Sequence, residues 1–177
     1  MKPQKGALTT TPRIIPILHA VAALVLVAWF ALIVAWPWLA PAGVANGWTK
    51  SVEGLCQQFF CHRMPGRSLA IGGSPLLVCA RCTGVIAGYL LGACAALAGA
   101  ERLPFWRIPI AIILIALMGV SWFAGWMGWV SESWHWERVL AGAFGGLGGY
   151  ILIARCVVLF VNWIQRRNVT PTKSAPA

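Results

Sequence analysis

Charged residues are scarce in this 177-residue chain, and acidic residues are nearly absent. Only 10% of the residues are charged, with 4 Asp and Glu against 14 Lys and Arg. Because a soluble domain normally carries about 25% charged residues, this chain has too few to cover a water-facing surface. The scarcity excludes an ordinary soluble enzyme and a disordered protein. Together with a hydrophobic content of 59%, it indicates an integral membrane protein.

Basic residues give a net charge of +10, but they form no separate basic module. They are spread over predicted tails and loops between apolar runs. Membrane topology and attraction to anionic headgroups explain this distribution better than binding to nucleic acid does. We therefore expect membrane lipids as partners and no nucleic acid.

Four apolar runs are long enough to cross a bilayer, which needs about 20 mostly apolar residues. The sequence therefore predicts an all-α integral membrane protein whose four transmembrane helices form a bundle, with a Cys-rich loop between helices 1 and 2. The predicted parts are an N-terminal tail (1–16), a membrane domain (17–164) with spans at about 17–36, 76–98, 110–129 and 139–163 and the loop at 37–75, and a flexible C-terminal tail (165–177).

Basic residues are unequally divided between the two sides of this predicted bundle. Eight lie on the side that holds both tails and the link between the second and third spans, and five lie on the other side. By the positive-inside rule, the richer side is cytoplasmic. We therefore expect a multi-pass protein of the cell membrane with both termini in the cytoplasm. The 37–75 loop is then extracytoplasmic, where thiols can be oxidised.

The second and fourth spans share a pattern in which an arginine is followed by small residues at offsets of 3, 7 and 11. Such positions form one stripe on a helix, and small residues let helices approach closely in lipid. We expect each stripe to pack against the other or against a neighbouring helix, and the glycines could also receive partner helices. The members are Arg81, Gly84, Gly88 and Gly92 in the second span, and Arg138, Ala141, Gly145 and Gly149 in the fourth.

Arg81 and Arg138 lie near the predicted outer ends of their helices. One interpretation is topological anchoring, or pairing with Glu53, Glu132 or Glu137. The other is a cationic pocket that contacts an anion or a lipid headgroup, helped by two positive helix N-termini.

Four of the six cysteines form two close pairs, Cys56 with Cys61 and Cys79 with Cys82, and His62 follows the first pair. Tetrahedral zinc takes four sulfur or nitrogen ligands, often from two short knuckles. The spacing therefore predicts a transition-metal site, with zinc as the natural candidate. Its ligands are Cys61, Cys79 and Cys82, and the fourth is either Cys56 or His62.

The same cysteines also suit thiol chemistry. Cys79 and Cys82 open a predicted helix beside Arg81, which favours thiolate over thiol. In a redox interpretation, Cys79 and Cys82 form the active pair of a thiol-disulfide oxidoreductase, Cys56 and Cys61 pass on the disulfide, and a quinone takes the electrons. In a third, non-catalytic interpretation, structural disulfides only staple the loop over a helix bundle. The residues alone assign no reaction.

Part of this pattern resembles a known family. The residues in question are Cys61-His62, Arg67-Ser68, Pro75, Cys79-Ala-Arg81-Cys82-Thr-Gly84 and Gly88. They are similar to the signature of the bacterial membrane proteins known as domain of unknown function 2085. The resemblance implies an integral membrane protein and singles out Cys61, His62, Cys79, Arg81 and Cys82 as site residues. It implies no particular reaction, and Cys56 lies outside the signature.

Overall fold

The computed structural model describes residues 14–40, 47–59, 61, 65–99, 107–129 and 135–168. The predictions for residues 1–13 and 169–177 lie outside this part of the chain. The described residues form five α-helices, one short 3-10 helix and one small hairpin. The α-helices are α1 (Ile14–Leu39), α2 (Gly47–Phe59), α3 (Ala80–Leu97), α4 (Ile108–Trp126) and α5 (His135–Asn168). The 3-10 helix (Pro65–Arg67) and the strands β1 (Ala70–Ile71) and β2 (Ser74–Pro75) lie between α2 and α3.

Helices α1, α3, α4 and α5 are each long and apolar enough to cross a membrane. Their large apolar side chains are more exposed on the outside of the bundle than is usual in a protein surrounded by water. Leu24 in α1 is 70% exposed and Val120 in α4 is 65% exposed. Such a surface suits lipid. The predicted all-α bundle of four transmembrane helices is confirmed, and so is the position of the Cys-rich region between the first two of them.

The helices do not begin and end where the apolar runs do. Helix α5 begins at His135 rather than at position 139 and continues to Asn168, because helical hydrogen bonding extends beyond the hydrocarbon core into the polar interface. Helix α3 begins at Ala80 rather than at position 76. The residues before it, including Leu77 and Val78, are fully buried in a non-helical segment.

Helices α3 and α5 run parallel and touch through their backbones. A Cβ atom at Gly84 would overlap the carbonyl oxygen of Val139, and one at Gly88 would overlap the carbonyl oxygen of Ala143. The contacts advance along both helices together, which fixes the parallel direction. Only glycine allows this approach, as expected for helices that pack in lipid.

The other stripe glycines also contact helices of the same chain. Gly92 in α3 meets the ring of Tyr150 in α5, and Gly145 in α5 meets the side chain of Met118 in α4. Helix α5 therefore lies between α3 and α4. Helix α1 packs on α3, and His19 Nδ1 shares a buried hydrogen bond of 2.6 Å with the Tyr150 hydroxyl.

The predicted loop contains structure that the sequence did not reveal. Helix α2 buries one face, where Thr49 and Cys56 are each 2% exposed. The Trp36 indole Nε1 donates a hydrogen bond of 3.2 Å to Glu53 Oε1 and so ties α2 to α1. After α2, strands β1 and β2 pair in an antiparallel hairpin. Its two turn residues, Gly72 and Gly73, have φ values of 58° and 81°, which suit a tight two-residue hairpin turn.

Candidate metal centre

Three cysteine sulfur atoms converge where the loop meets the start of α3. The Sγ atoms of Cys61, Cys79 and Cys82 all lie within 4.8 Å of one another, and we call them the three-sulfur cluster. Cys61 is buried, and Cys79 and Cys82 are half-buried. The structure thus brings together the three cysteines on which the spacing and the family signature agree.

The start of α3 positions two of these sulfurs. Cys79 is the residue that precedes the first helical turn, with extended backbone angles (φ −68°, ψ 161°). Its carbonyl oxygen accepts hydrogen bonds from the Thr83 backbone N–H at 2.9 Å and from the Thr83 hydroxyl at 3.2 Å. Cys82 follows three residues after Cys79, and this spacing places both side chains on one side of the helix end.

The third sulfur reaches the cluster through a backbone turn at the end of α2. The Cys61 N–H donates a hydrogen bond of 2.8 Å to the Cys56 carbonyl oxygen. The Cys79 N–H in turn donates to Cys61 Sγ over 3.3 Å. A backbone donor aimed at a sulfur atom stabilises negative charge on it. The arrangement therefore favours negative charge on the Cys61 sulfur.

Contact among the thiols changes the pKa of Cys79 in the direction opposite to the one predicted from the sequence. The sequence predicts a lowered pKa beside Arg81, but the hydrogen-bonded thiol of Cys61 raises the pKa of Cys79 above its ordinary value. Burial raises it further, while a hydrogen bond with Cys82 acts in the opposite direction. Two or more thiolates this close together are unfavourable unless a cation shares the space.

The two candidates for a fourth ligand have different positions. Cys56 is 2% exposed and belongs to the same buried cluster as Cys61, with Cys79 and Cys82 packed against it. Its sulfur is not a member of the three-sulfur cluster. His62 lies outside the described residues. All six cysteines are thiols in the structure, and none forms a disulfide.

Arg81 and Arg138, the arginines that begin the two small-residue stripes, lie in different environments. Arg81 Nη2 donates a hydrogen bond of 3.3 Å to the Ser121 hydroxyl of α4. Its Nε atom is buried and has no hydrogen-bond partner among the described residues. Arg138 is 7% exposed near the start of α5. Neither Glu53 nor Glu137 forms an ion pair with Arg81 in the described part of the chain, and Glu132 lies outside it.

A cavity of about 890 Å³ lies between the end of α4 and the start of α5. Sequence reasoning missed it, because its shape depends on how the two helices are aligned. None of the described cysteines lines this cavity, so it is not the quinone pocket beside Cys79 or Cys82 that the redox interpretation requires. Its lining residues are Leu69, Leu117, Val120, Ser121, Ala124, His135, Trp136, Glu137, Leu140, Ala141 and Phe144.

Comparisons with known proteins agree with the membrane architecture. The model of the family described as predicted membrane protein, domain of unknown function 2085, matches residues 61–153. The match begins at Cys61, so it includes the three-sulfur cluster and His62 but not Cys56. An uncharacterized protein of Methanocaldococcus jannaschii is 27% identical over 141 residues, which cover 74% of this chain and 85% of that protein. No solved structure matches the chain. The chain belongs to the predicted membrane protein family of domain of unknown function 2085.

Proposed function

We propose that this membrane protein binds one transition-metal ion, with zinc as the first candidate, through Cys61, Cys79 and Cys82. The observation that carries the proposal is the convergence of their sulfur atoms to within 4.8 Å of one another. The fourth ligand is Cys56 or His62. The site lies at the end of the bundle where α3 begins, and we place this end outside the cytoplasm by the distribution of basic residues.

The sulfur geometry is close to what a metal ion needs. In a tetrahedral zinc site with bonds of about 2.3 Å, two sulfur ligands lie about 3.8 Å apart. The separations in the three-sulfur cluster exceed this by about 1 Å at the most, on the order of a small side-chain rotation. An ion would draw the sulfurs together without rebuilding the backbone.

The chemistry of the donors supports the same assignment. A bound cation relieves the unfavourable crowding of Cys61, Cys79 and Cys82, because metal ligation replaces their protons. Thiolate ligands favour zinc or another soft ion over calcium and magnesium, which take oxygen ligands. Four sulfur or nitrogen ligands would close the coordination shell, as in structural zinc sites. The proposed role is therefore to hold the 61–79 segment against α3.

Metal analysis tests the proposal. The full chain is purified in detergent under anaerobic conditions, and its metal content is measured for the wild type, Cys79→Ser and Cys82→Ser. We expect about one equivalent in the wild type and a large loss in both variants, since each removes a ligand. Cys94→Ser is the matched control, because Cys94 lies on α3 away from the cluster. Less than about 0.2 equivalents of any transition metal in the wild type would overturn the proposal.

The fourth ligand is a separate question with its own comparison. Cys56 shares the buried core with the cluster, whereas His62 adjoins Cys61 in sequence and lies inside the range that the family model matches. Cobalt(II) substitution of Cys56→Ser and His62→Ala separates them, because sulfur-to-cobalt charge-transfer absorption grows with the number of thiolate ligands. A loss of intensity in Cys56→Ser assigns Cys56. Unchanged intensity there, with a shifted ligand-field spectrum in His62→Ala, assigns His62.

Thiol-disulfide exchange is a second candidate, and it also rests on the closeness of the three thiols. Formation of a disulfide between Cys79 and Cys82 releases two protons and two electrons, and a quinone that accepts both becomes a quinol. This function predicts that the thiols resist alkylation in intact cells until a reductant is added. Free alkylation of the untreated thiols excludes it, and protection by a chelatable metal supports the metal site instead.

A further inference from the structure

The α4/α5 cavity lies outside the proposed metal centre and has the size of a ligand site. Its volume of about 890 Å³ falls within the range of roughly 300–1,000 Å³ that is usual for small-molecule pockets. The last turns of α4 and the first turns of α5 form most of its wall. The cavity is therefore near one end of the bundle, at the level where headgroups meet the hydrocarbon core.

Most of the cavity wall is apolar and faces the lipid. Val120 and Leu140 both line the cavity, and they are 65% and 58% exposed. An open apolar groove on a transmembrane surface is accessible from the bilayer. An acyl chain fits such a groove better than any water-soluble ligand does.

The polar groups in and beside this cavity carry both signs of charge, although Arg81 is not one of its lining residues. The Ser121 hydroxyl lines the wall and accepts a hydrogen bond from Arg81 Nη2. Arg81 Nε and His135 Nδ1 are buried and have no hydrogen-bond partner among the described residues. The Glu137 side chain also lines the cavity. Buried polar atoms without partners are unfavourable, so a polar headgroup beside them at this end of the cavity would be stabilising.

We propose that the α4/α5 cavity binds a phospholipid with an ethanolamine-type zwitterionic headgroup. One acyl chain lies along the apolar wall. The phosphate lies at the Ser121 and His135 end, beside the Arg81 guanidinium that donates to Ser121, and the primary ammonium donates hydrogen bonds to the Glu137 carboxylate.

The two opposite charges select this headgroup over the other common ones. A purely anionic headgroup such as phosphatidylglycerol places no cation at Glu137. The quaternary ammonium of phosphatidylcholine is a cation but has no N–H to donate. Only a primary ammonium combined with a phosphate matches Arg81 and Glu137 at once.

Native mass spectrometry of the full chain, delipidated in detergent, tests the proposal. Phosphatidylethanolamine, phosphatidylcholine and phosphatidylglycerol with identical acyl chains are titrated separately. We expect one phosphatidylethanolamine to bind about tenfold more tightly than either of the others, from its charge-assisted hydrogen bonds. Equal affinity for the three lipids would overturn the proposal.

Variants locate the lipid. Glu137→Gln removes the carboxylate, and we expect it to abolish the preference for phosphatidylethanolamine over phosphatidylglycerol. Leu140→Trp and Val120→Trp fill the groove from α5 and α4, and we expect each to weaken binding about tenfold. Leu91→Trp is the matched control, because Leu91 is 60% exposed on α3 and does not line the cavity.

Each outcome bears on the lipid site alone. Undiminished phosphatidylethanolamine binding in both groove-filling variants would contradict the site, even if one of them is poorly folded, because two different walls are tested. Metal content measured on the same samples keeps this proposal separate from the metal centre. A protein that holds metal but shows no headgroup preference refutes the lipid site and leaves the metal site standing.

Discussion

The interface between α3 and α5 and the segment that carries the cysteines are held together in different ways. At the interface, Gly84 and Gly88 bring two backbones into contact over several turns. In the cysteine segment, Cys61 meets the start of α3 through polar contacts, among them the hydrogen bond of 3.3 Å from the Cys79 N–H to Cys61 Sγ. The first region is stable through packing that is present in the folded chain itself. In the second region, the proposed metal ion bound to three sulfurs would add a further cross-link.

The cysteine segment and the bundle are therefore expected to respond differently to removal of the metal. The segment from Cys61 to Cys79 contains a small hairpin that the Leu76 N–H closes by donating to the Leu69 carbonyl oxygen at 2.8 Å. Closing such a segment costs conformational entropy. The proposed metal ion, by joining Cys61 to Cys79 and Cys82, would offset this cost in the way a cross-link does. We expect no such dependence in the bundle.

The largest effect is expected from overfilling the close helix contact. In Gly88→Leu, the new Cβ would overlap the carbonyl oxygen of Ala143, a backbone atom that cannot rotate away. We expect a loss of more than about 3 kcal/mol of stability, measured as a fall in thermal unfolding temperature in detergent. Gly119→Leu is the control, since a Cβ at Gly119 in α4 meets nothing within 4 Å. Equal destabilisation by the two changes would refute the account of the interface.

The contact between α5 and α4 offers a softer comparison. A Cβ at Gly145 would meet the flexible side chain of Met118 rather than backbone. We therefore expect Gly145→Ala to destabilise the protein less than Gly88→Ala does, in the same unfolding measurement. The reverse order would show that Met118 is held rigidly and that the α4 contact is as unyielding as the backbone contact between α3 and α5.

Removal of the metal should affect the loop and spare the bundle. A chelator removes a stabilisation of about 4 kcal/mol if the ion is present at about a thousand times its dissociation constant. We expect protease cleavage between Cys61 and Cys79 to accelerate while the helical circular dichroism stays unchanged. Cys79→Ser should respond to the chelator much less, and loss of the helical signal on chelation would contradict the distinction.

Metal affinity should rise with pH. Each ligand thiol must release its proton before it binds, and contact with Cys61 together with burial raises the pKa of Cys79 from an ordinary value of 9.0. The protonated form therefore persists to higher pH than in an isolated cysteine, and it competes with the metal throughout the neutral range. We expect a gain of about tenfold or more per pH unit between roughly pH 6 and 8, measured by competition with a chromogenic chelator. A flat profile would contradict thiolate ligation.

The smallest effect is expected from a hydrogen bond inside the bundle. Tyr150→Phe removes the partner of His19 Nδ1, and a buried hydrogen bond contributes about 1 kcal/mol. The ring, which contacts Tyr89 at a centroid distance of 6.3 Å, remains in place. We expect a small fall in unfolding temperature and no change in metal content. A loss of metal in this variant would show that the bundle interior and the sulfur cluster are coupled, which would contradict the distinction between the two regions.

The sequence predicts the membrane spans well because a span is a local property of length and polarity. The glycine stripes are also visible, since the helical repeat alone puts Gly84, Gly88 and Gly92 on one side. Helix α2 is missed because its stripe of buried residues, from Thr49 to Cys56, is short and lies among polar residues. It is packing against α1, through Trp36, that makes this stripe significant.

The candidate site is only partly predictable for a related reason. The C-x2-C spacing is enough by itself to place Cys79 and Cys82 on one side of a helix end. The two-pair spacing and the family signature predict that Cys61 joins them, but how it reaches them depends on the path of the intervening hairpin, which no local pattern reports. The cavity at His135 and Ser121 depends on the alignment of α4 with α5, and the sequence carries no signal for it.

The central claim is that the three sulfur atoms share one metal ion. X-ray absorption at the edge of the metal that copurifies with the anaerobic protein tests this most directly. The account predicts at least three sulfur neighbours at about 2.3 Å, completed by a fourth sulfur or by one nitrogen at about 2.0 Å. A first shell made of oxygen and nitrogen alone, unchanged in Cys79→Ser, would contradict it.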